Sequence, residues 1–440
     1  MNRKFLPILA LGLVAAFAAQ AKVISVSEPS QVKNVLTLEA GDTVILKEGT
    51  WKDVDIKFKS VNGTALKPVV FMGETAGKTI ITGNSSLHFA GPYVIVEDLW
   101  FQDPTAVAEE GTSVVAFQLS DDEYATNSVM RNCMMTGFGL EVTKQENKWV
   151  SIYGTDNMVE RCTFEDKSWL GTTLVVWPDT TLSREPNHIV RNNYFTRPRT
   201  ILSEKGSSLN GQETIRLGTS HVSMSSAKCI VENNVFERCN GETEIISNKT
   251  CENVIRGNVF LECVGCMTLR HGNGSVVENN YFDGRNVKGT GGIRLIGESH
   301  IVRNNYMQDL TGDNYTAAIA IMMGVTNSVL NNYFQVVNSI VENNIAIDCN
   351  HGLAVNLGTR ANQEQPFANS RVQNNVFISR NVAARIYNRP APEDVIWKDN
   401  VFEGGIFEGC TLAGLGATDK ASVKRMPAPI FSNGASWDSK

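Results

Sequence analysis

Residues 231–236 read Val-Glu-Asn-Asn-Val-Phe, and close copies of this phrase return along the chain. An aliphatic residue opens each copy, and Asn-Asn (Gly-Asn in one copy) stands at its centre. The copies begin at Val190, Val231, Ile255, Val277, Val302, Val341 and Val372. Their second Asn residues are separated by 41, 24, 22, 25, 39 and 31 residues. A shortest interval of about two dozen residues, with insertions in the longer copies, predicts a solenoid with one coil per repeat.

The composition of the repeat selects the type of solenoid. Short β-branched and aromatic runs are broken by Gly and Asn, and no apolar spacing is long enough for a helix in each unit. This excludes leucine-rich, ankyrin and TPR arrays, and it predicts an all-β chain with one domain, a right-handed parallel β-helix over residues 22–440. Asn tolerates left-handed backbone angles, and stacked Asn amides can hydrogen-bond from coil to coil, so we expect an Asn ladder. Residues one repeat apart become neighbours, because coils stack about 4.8 Å apart.

The first residues and the overall charge limit the location and the partners. Residues 1–21 are typical of a secretory signal peptide, with a basic start, an apolar run and the small-residue site Ala19-Gln20-Ala21. We therefore expect an exported protein, periplasmic or secreted, that has no membrane partner because no second apolar stretch follows. The chain carries 46 acidic and 40 basic side chains, a formal net charge of −6. A nucleic-acid partner is not expected, because phosphate binding requires a basic surface. The oligomeric state stays open.

Two carboxylates stand close together in the middle of the repeat. Glu242 and Glu244 are two residues apart on a predicted strand, so both should leave the same face. Two like charges at this distance are unfavourable unless a cation lies between them. Asn210, on the preceding coil, would complete a site of hard oxygen ligands suited to Ca²⁺. The alternative is a pair of surface salt bridges to Lys249 and Arg270.

Three cationic residues follow the spacing of the coils. Lys249, Arg270 and Arg294 are separated by 21 and 24 residues, one short coil each, and are predicted to stack as a column. Three like charges on neighbouring coils repel one another, so such a column indicates that an anion normally occupies the face. Crowding by the two arginines favours loss of the lysine proton, so Lys249 is a candidate general base. An arginine remains protonated and suits an electrostatic clamp or a proton donor.

Other side chains are candidates for binding a polymer. Arg197 and Arg199 lie on a predicted turn one or two coils before the carboxylates, where they line a subsite for a polyanion or are simply solvated. Trp149, Trp177 and Tyr315 would stack on sugar rings unless they are buried. Sequence patterns alone leave both alternatives open.

The segment from 210 to 305 resembles polysaccharide lyase family 6, which holds alginate lyases and the dermatan-cleaving chondroitinase B. The resemblance is carried by NGQETIRLGTS at 210–220, NGETEIISNK at 240–249, LRHGN at 269–273 and GGIRLIG at 291–297. It implies cleavage of a uronate polysaccharide by Ca²⁺-assisted β-elimination, which leaves an unsaturated uronate end. It also implies a Ca²⁺ site, whose ligands would be Asn210, Glu242 and Glu244.

The resemblance assigns roles to the remaining residues of these motifs. Lys249 would remove the C5 proton, and Arg270 would act as the acid that assists departure of the O4 leaving group. Arg294 matches an arginine that binds the substrate carboxylate, and His271 lies beside the acid as a further candidate for substrate binding. Alginate is preferred as substrate, with dermatan sulfate as the alternative. A β-helix glycoside hydrolase and a non-catalytic carbohydrate-binding solenoid are the remaining hypotheses.

Overall fold

The computed structural model describes residues 20–106, 113–178, 185–358, 361–388, 393–408, 423–430 and 432–438. The predicted signal peptide lies almost wholly outside these residues. The described chain forms a parallel β-helix, as predicted, whose coils supply strands to three faces that we call sheets 1, 2 and 3. Two long strands, Ile345–Leu357 and Val376–Ile386, run round the corner between sheets 2 and 3 and pair within both.

The strands of each sheet follow one another coil by coil. Sheet 1 has 14 strands: Val23–Val26, Thr43–Leu46, Val69–Gly73, Val94–Glu97, Val129–Arg131, Met158–Glu160, Ile189–Arg191, Ile230–Glu232, Val254–Arg256, Val276–Glu278, Ile301–Arg303, Ile340–Glu342, Arg371–Gln373 and Ile396–Lys398. Besides the two long strands, sheet 2 contains Gly49–Lys52, Thr79–Gly83, Trp100–Pro104, Met134–Thr136, Thr163–Glu165, Tyr194–Arg197, Val235–Cys239, Val259–Leu261, Tyr281–Asp283, Tyr306–Gln308 and Val401–Glu403. Sheet 3 contains, with the same two, Leu36–Leu38, Asp55–Ser60, Ser86–Pro92, Ser113–Ala116, Lys148–Ile152, Leu174–Val176, Ile215–Leu217, Glu244–Lys249, Gly265–His271, Thr290–Leu295, Ile319–Met322 and Ile406–Glu408.

Short elements occupy the connections between the sheets. The small strands are Gln118–Ser120, Glu123–Thr126, Thr143–Glu146, Trp169–Leu170, Gly324–Val325 and Gln363–Gln365. Single turns of 3-10 helix cover Pro29–Val32, Ser220–Val222 and Asn314–Thr316. Across the described residues, no helix is both long enough and apolar enough to cross a membrane.

Alternation along each strand separates the core from the surface. In sheet 3, Ile215, Ile246, Met267 and Ile293 are partners on successive coils, and all four are fully buried inside the helix. In sheet 2, five Phe rings stack at centroid distances of 4.4–5.1 Å from coil to coil. Because side chains on a strand alternate between two faces, the residues between these apolar positions point out of the helix.

The two residues of each Asn-Asn pair have different structural roles. The first residue takes a left-handed backbone, with φ near 55° at Asn192, Asn233 and Asn279, and it turns the chain between sheets 1 and 2. The second residue is buried and forms the predicted ladder, in which each Nδ2 donates to the Oδ1 of the next coil over 2.9–3.0 Å. The ladder runs from Asn193 to Asn400, and its last residue lies in a degenerate copy of the repeat at 396–401.

Removal of one ladder amide should destabilise the fold without touching sheet 3. Asn258 donates to Val231 O and to the next ladder residue, and its Oδ1 accepts from the backbone and side chain of Asn234. Asn258→Ala leaves several of these buried groups unpaired, so we expect a loss of about 3 kcal/mol in the free energy of unfolding. Urea unfolding would measure it, with the exposed Asn84→Ala as control. Equal urea midpoints of unfolding for the two variants would contradict the proposed contribution of the ladder to stability.

The last residues do not stay on the final coils. Asn433 donates to the carbonyls of Asn193 and Asn233, and Trp437 Nε1 donates to Asn132 O over 3.1 Å. The tail runs back along the corner of the Asn turns, because those turns present backbone carbonyls that polar tail groups can bind.

Candidate active site

The outer surface of sheet 3 carries a line of polar side chains. Arg216, Ser247, Thr268 and Arg294 are partners on four successive coils. Their inward neighbours are the buried aliphatic residues of the core, so the alternation of the strand presents these four to the outside. The line forms the floor on which the predicted site residues assemble.

The predicted column of Lys249, Arg270 and Arg294 is wrong in its register. Lys249 lies opposite His271, and Arg294 lies opposite Thr268. Arg270 has no direct partner on the preceding coil, because the register shifts between the pairs formed by Asn248 and Lys249. A β-bulge adds one residue to a strand and changes the direction of the side chains around it. The spacing of residues in the sequence does not reveal such a bulge.

The side chains of Arg270 and Arg294 nevertheless converge, because both approach Glu244. Arg294 Nη2 donates to Glu244 Oε1 over 2.7 Å, and Arg270 Nε lies 3.6 Å from the same oxygen. Ser247 Oγ donates to the other oxygen, Oε2. Glu244 is therefore held by Ser247 of its own strand and by two arginines of the next coils.

Glu242 lies on the turn before the strand, which begins at Glu244, yet both residues line one cleft of about 320 Å³ together with Asn210. Gly211 N donates to Glu242 Oε2 over 3.1 Å. Burial, followed by the charges of Glu213 and Glu244, raises the pKa of Glu242 to about 8. The cleft thus contains a carboxylate whose negative charge is unfavourable unless a further cation offsets it.

Lys249 has a buried partner that the sequence analysis missed. Its Nζ lies 3.3 Å from Oε1 of Glu213, and Thr172 Oγ1 donates to Oε2 over 3.0 Å. Burial acts to raise the pKa of Glu213, but the charges of Lys249 and Arg216 outweigh it and leave the pKa below its usual value. Glu213 is consequently an ionised anchor for the amine. It stands inside NGQETIRLGTS, and this position in the motif was the only sequence signal for it.

His271 lies beneath Arg270 and not on the cleft surface, since only 1% of it is exposed. Burial, and then the charges of Arg270 and Lys249, lower its pKa to about 3, so the ring is neutral. Arg270 Nη1 lies 3.3 Å from Nδ1, which must accept because arginine only donates. Nε2 then donates to Ser220 Oγ over 3.3 Å, and that hydroxyl donates to Asn331 Oδ1. His271 therefore positions Arg270.

The structure does not bring Arg197 or Arg199 to the cleft. Arg197 is 1% exposed, and its guanidinium donates to the carbonyls of Trp169, Gly171 and Gln212. Arg199 pairs with Asp166 over 2.7 Å and donates to the carbonyls of Gly137 and Leu140.

Neither arginine presents its guanidinium to a polymer on sheet 3, which corrects their placement in a polyanion subsite. Both instead tie loops together, because the five donors of a buried guanidinium can satisfy several carbonyls that the turns leave unpaired.

Aromatic residues reach the cleft from later coils. The Tyr333 ring lies 4.6 Å from Cζ of Arg270, and the Tyr315 ring lies 5.9 Å from Cζ of Arg294. Tyr315 was one of the three aromatic candidates; of the others, Trp149 is buried and Trp177 stacks with Arg216 at 5.0 Å. Tyr333 was missed, because it lies on a long insertion where distance along the chain no longer corresponds to coil number.

Within the described residues, no group of three His, Cys, Asp or Glu side chains could hold a metal ion. The cleft offers instead two carboxylates and one amide, Glu242, Glu244 and Asn210. These are hard oxygen donors, the type that Ca²⁺ takes in proteins.

A family model and several solved structures match this chain. The family model described as Chondroitinase B matches residues 25–414. The structure of the PL6 family alginate lyase AlyGC matches with a TM-score of 0.79 and 35% sequence identity, over 88% of this chain and 53% of that chain. A mannuronic acid specific polysaccharide family 6 lyase from human gut microbiota matches with a TM-score of 0.73 and 30% identity, over 88% and 87% of the two chains. No curated protein matches the chain.

These matches differ in how much of the other protein they cover. The chain spans about half the length of AlyGC, but nearly the whole of the gut lyase. The family model extends over most of the coils described above and includes every residue of the cleft. On this basis the chain belongs to polysaccharide lyase family 6, the family indicated by the motifs around its cleft.

Proposed function

We propose that this protein is a lyase that cleaves a uronate polysaccharide, alginate in preference, by β-elimination. The main observation behind the proposal is that an anchored amine, two guanidinium groups and a pair of carboxylates lie close together at sheet 3. Lys249 pairs with Glu213 at 3.3 Å, and Arg270 and Arg294 approach Glu244 at 3.6 and 2.7 Å. Glu242 lines the cleft beside Glu244. Such a set can bind a carboxylate, remove a proton from the carbon beside it and stabilise the charge that develops.

Lys249 is the proposed base. Its amine would accept the C5 proton of the uronate, and the ammonium that results would be paired with the ionised Glu213 at 3.3 Å. This contact strengthens as the charge forms on the lysine, so it stabilises the transition state more than the ground state. Burial of the Glu213 carboxylate excludes water from the pair and increases the effect.

Arg270 is the proposed acid at the O4 leaving group. Tyr333, His271 and Glu244 hold its guanidinium from three directions, which restricts the side chain to one orientation. Arg294 stands beside it and would bind the substrate carboxylate. Preorganised donors of this kind act without a reorganisation cost at the moment of reaction.

Asn210, Glu242 and Glu244 are the proposed ligands of a Ca²⁺ ion. Each carboxylate oxygen has two lone pairs, so the bonds from Gly211, Arg294 and Ser247 still leave room for a cation. A cation there would offset the burial and the repulsion from Glu213 and Glu244 that together raise the pKa of Glu242. Bound Ca²⁺ would neutralise the uronate carboxylate and so make the neighbouring C–H more acidic.

The substrate assignment comes from the relatives. AlyGC is named an alginate lyase, and the gut enzyme is named mannuronic acid specific. The Chondroitinase B family model keeps a dermatan sulfate lyase as the second candidate.

A panel of poly-mannuronate, poly-guluronate, mixed alginate and dermatan sulfate tests the proposal. We expect ultraviolet absorbance to rise on at least one alginate polymer, because β-elimination creates a conjugated unsaturated uronate. Shortening of the chains without new absorbance would indicate a hydrolase. Binding without any shortening would indicate a non-catalytic solenoid, and a rise on dermatan sulfate alone would favour the second candidate.

A further inference from the structure

A second ladder of buried side chains runs along the corner between sheets 3 and 1. Each of its residues directly precedes a strand of sheet 1, follows a residue with a left-handed backbone and is at most 4% exposed. In eight of the nine, the side chain accepts a hydrogen bond from a backbone N–H of the preceding coil over 2.9–3.3 Å. We call this set the corner ladder; it consists of Ser128, Asn157, His188, Cys229, Asn253, Ser275, His300, Ser339 and Ser370.

Two members of the corner ladder are imidazoles. Nδ1 of His188 accepts from the backbone N–H of Asn157 over 3.1 Å, and Nδ1 of His300 accepts from that of Ser275 over 3.2 Å. Nε2 of His300 lies 3.0 Å from Ile296 O, so this nitrogen carries the proton of the ring. A backbone N–H can only donate. Each bond therefore requires a ring whose Nδ1 is unprotonated, which is an uncharged ring.

The surroundings of both rings oppose a positive charge. Burial lowers the pKa of His188 to about 3 and that of His300 to about 4, while their bonds to the backbone act in the opposite direction. Among the described residues, no charged side chain shifts either pKa. Cys229, the neighbour of His188 on the next coil, is also uncharged, because burial raises the pKa of its thiol to about 12. The charged residues of the neighbouring turns are half-buried or exposed: Asp156, Glu185, Lys228, Glu252 and Glu298.

We propose that the corner ladder makes the β-helix sensitive to acid, with His188 and His300 as the residues that respond. At neutral pH each imidazole joins two neighbouring coils. In acid, a proton on Nδ1 would turn this acceptor into a donor that faces a second donor, the backbone N–H, and the link between the coils would be lost. Each imidazolium would also be a buried charge without a described counter-charge. The inference is independent of the proposed function, because it concerns unfolding and not turnover.

The unfolded and folded chains differ in how they bind protons. In the unfolded chain both rings titrate near pH 6.5, whereas in the folded chain they stay uncharged to a much lower pH. Below about pH 6.5 the unfolded state therefore binds more protons. The contribution of the two rings to stability is complete above this pH and is lost as the pH falls towards the pKa values of the folded state. Each ring should raise the equilibrium constant of unfolding about tenfold per pH unit in this window.

Asparagine is the matched replacement for both histidines. Asn157 and Asn253 already accept the same bond elsewhere in the corner ladder, through an oxygen that does not titrate. Urea unfolding at pH 6 and at pH 5 would compare the wild-type protein with the double variant His188→Asn/His300→Asn. Between these pH values, the unfolding constant of the wild-type protein should rise about a hundredfold more than that of the double variant. His221→Asn, at an exposed position, should behave like the wild-type protein. Equal rises in all three proteins would overturn the inference.

A spectroscopic measurement tests the same point if the double variant does not fold. The wild-type protein, labelled with nitrogen-15 in its histidine rings, is titrated into acid while circular dichroism follows its fold. The signals of His188 and His300, assigned from the single variants, should keep the chemical shifts of uncharged rings down to about pH 5 for as long as the protein is folded. A charged ring at either position in the folded protein above that pH would also overturn the inference.

Discussion

Lys249→Ala should give a folded protein that releases almost no unsaturated uronate from alginate. The proposed mechanism has one base, and this substitution removes the amine that pairs with Glu213 and would accept the C5 proton. A positioned general base contributes a factor of about 10²–10⁴, so turnover should fall by that amount. The rate of absorbance increase at saturating polymer measures it directly.

The control is a lysine on another face of the helix. Lys398 ends a strand of sheet 1, and its side chain is 68% exposed, so Lys398→Ala should keep full activity. Substrate binding by Lys249→Ala should persist, because Arg270 and Arg294 remain. Turnover by Lys249→Ala within tenfold of the wild-type rate would show that another group removes the proton.

Removal of calcium should stop turnover as completely as loss of the base. EGTA treatment followed by gel filtration should abolish activity, and Ca²⁺ should restore it where Mg²⁺ does not, because Mg²⁺ demands a tighter octahedral set of ligands. Ca²⁺ should also raise the melting temperature of the metal-free protein, since it binds the folded cleft and not the unfolded chain.

Glu242→Gln connects this effect to the proposed ligands. The substitution keeps an oxygen donor but removes one negative charge, so the increase in melting temperature on addition of Ca²⁺ should largely disappear. The matched control is Glu123→Gln, a carboxylate that pairs with Lys59 on an earlier coil and should respond like the wild-type protein. Full activity after EGTA treatment, or an unchanged Ca²⁺ response in Glu242→Gln, would refute the assignment of a metal to this cleft.

Repetition is the reason that much of the fold could be predicted. The intervals between Asn residues that identify the coils are the intervals across which Asn193, Asn234, Asn258 and the later ladder residues hydrogen-bond. Because the coils repeat, residues one coil length apart in the sequence lie next to each other in space. This rule predicted the parallel sheets, and it brought the motifs of the cleft onto one face.

The same rule fails where the coils are irregular. A bulge beside Lys249 displaces Arg270 from the expected column, and the buried environment of Arg197 depends on loops from other coils. Tyr333 reaches Arg270 from an insertion, where the number of residues says nothing about position. Periodicity alone could identify neither this tyrosine nor the Lys249–Glu213 pair.

The sequence by itself determined the coil, the ladder and the chemical types of residue on sheet 3, because regular hydrogen bonding between identical units leaves a period that can be read directly. Only the tertiary structure decided which carboxylate anchors the amine and which arginines face the cleft. Those features depend on bulges and loops, whose geometry follows from packing against other coils and leaves no period in the chain.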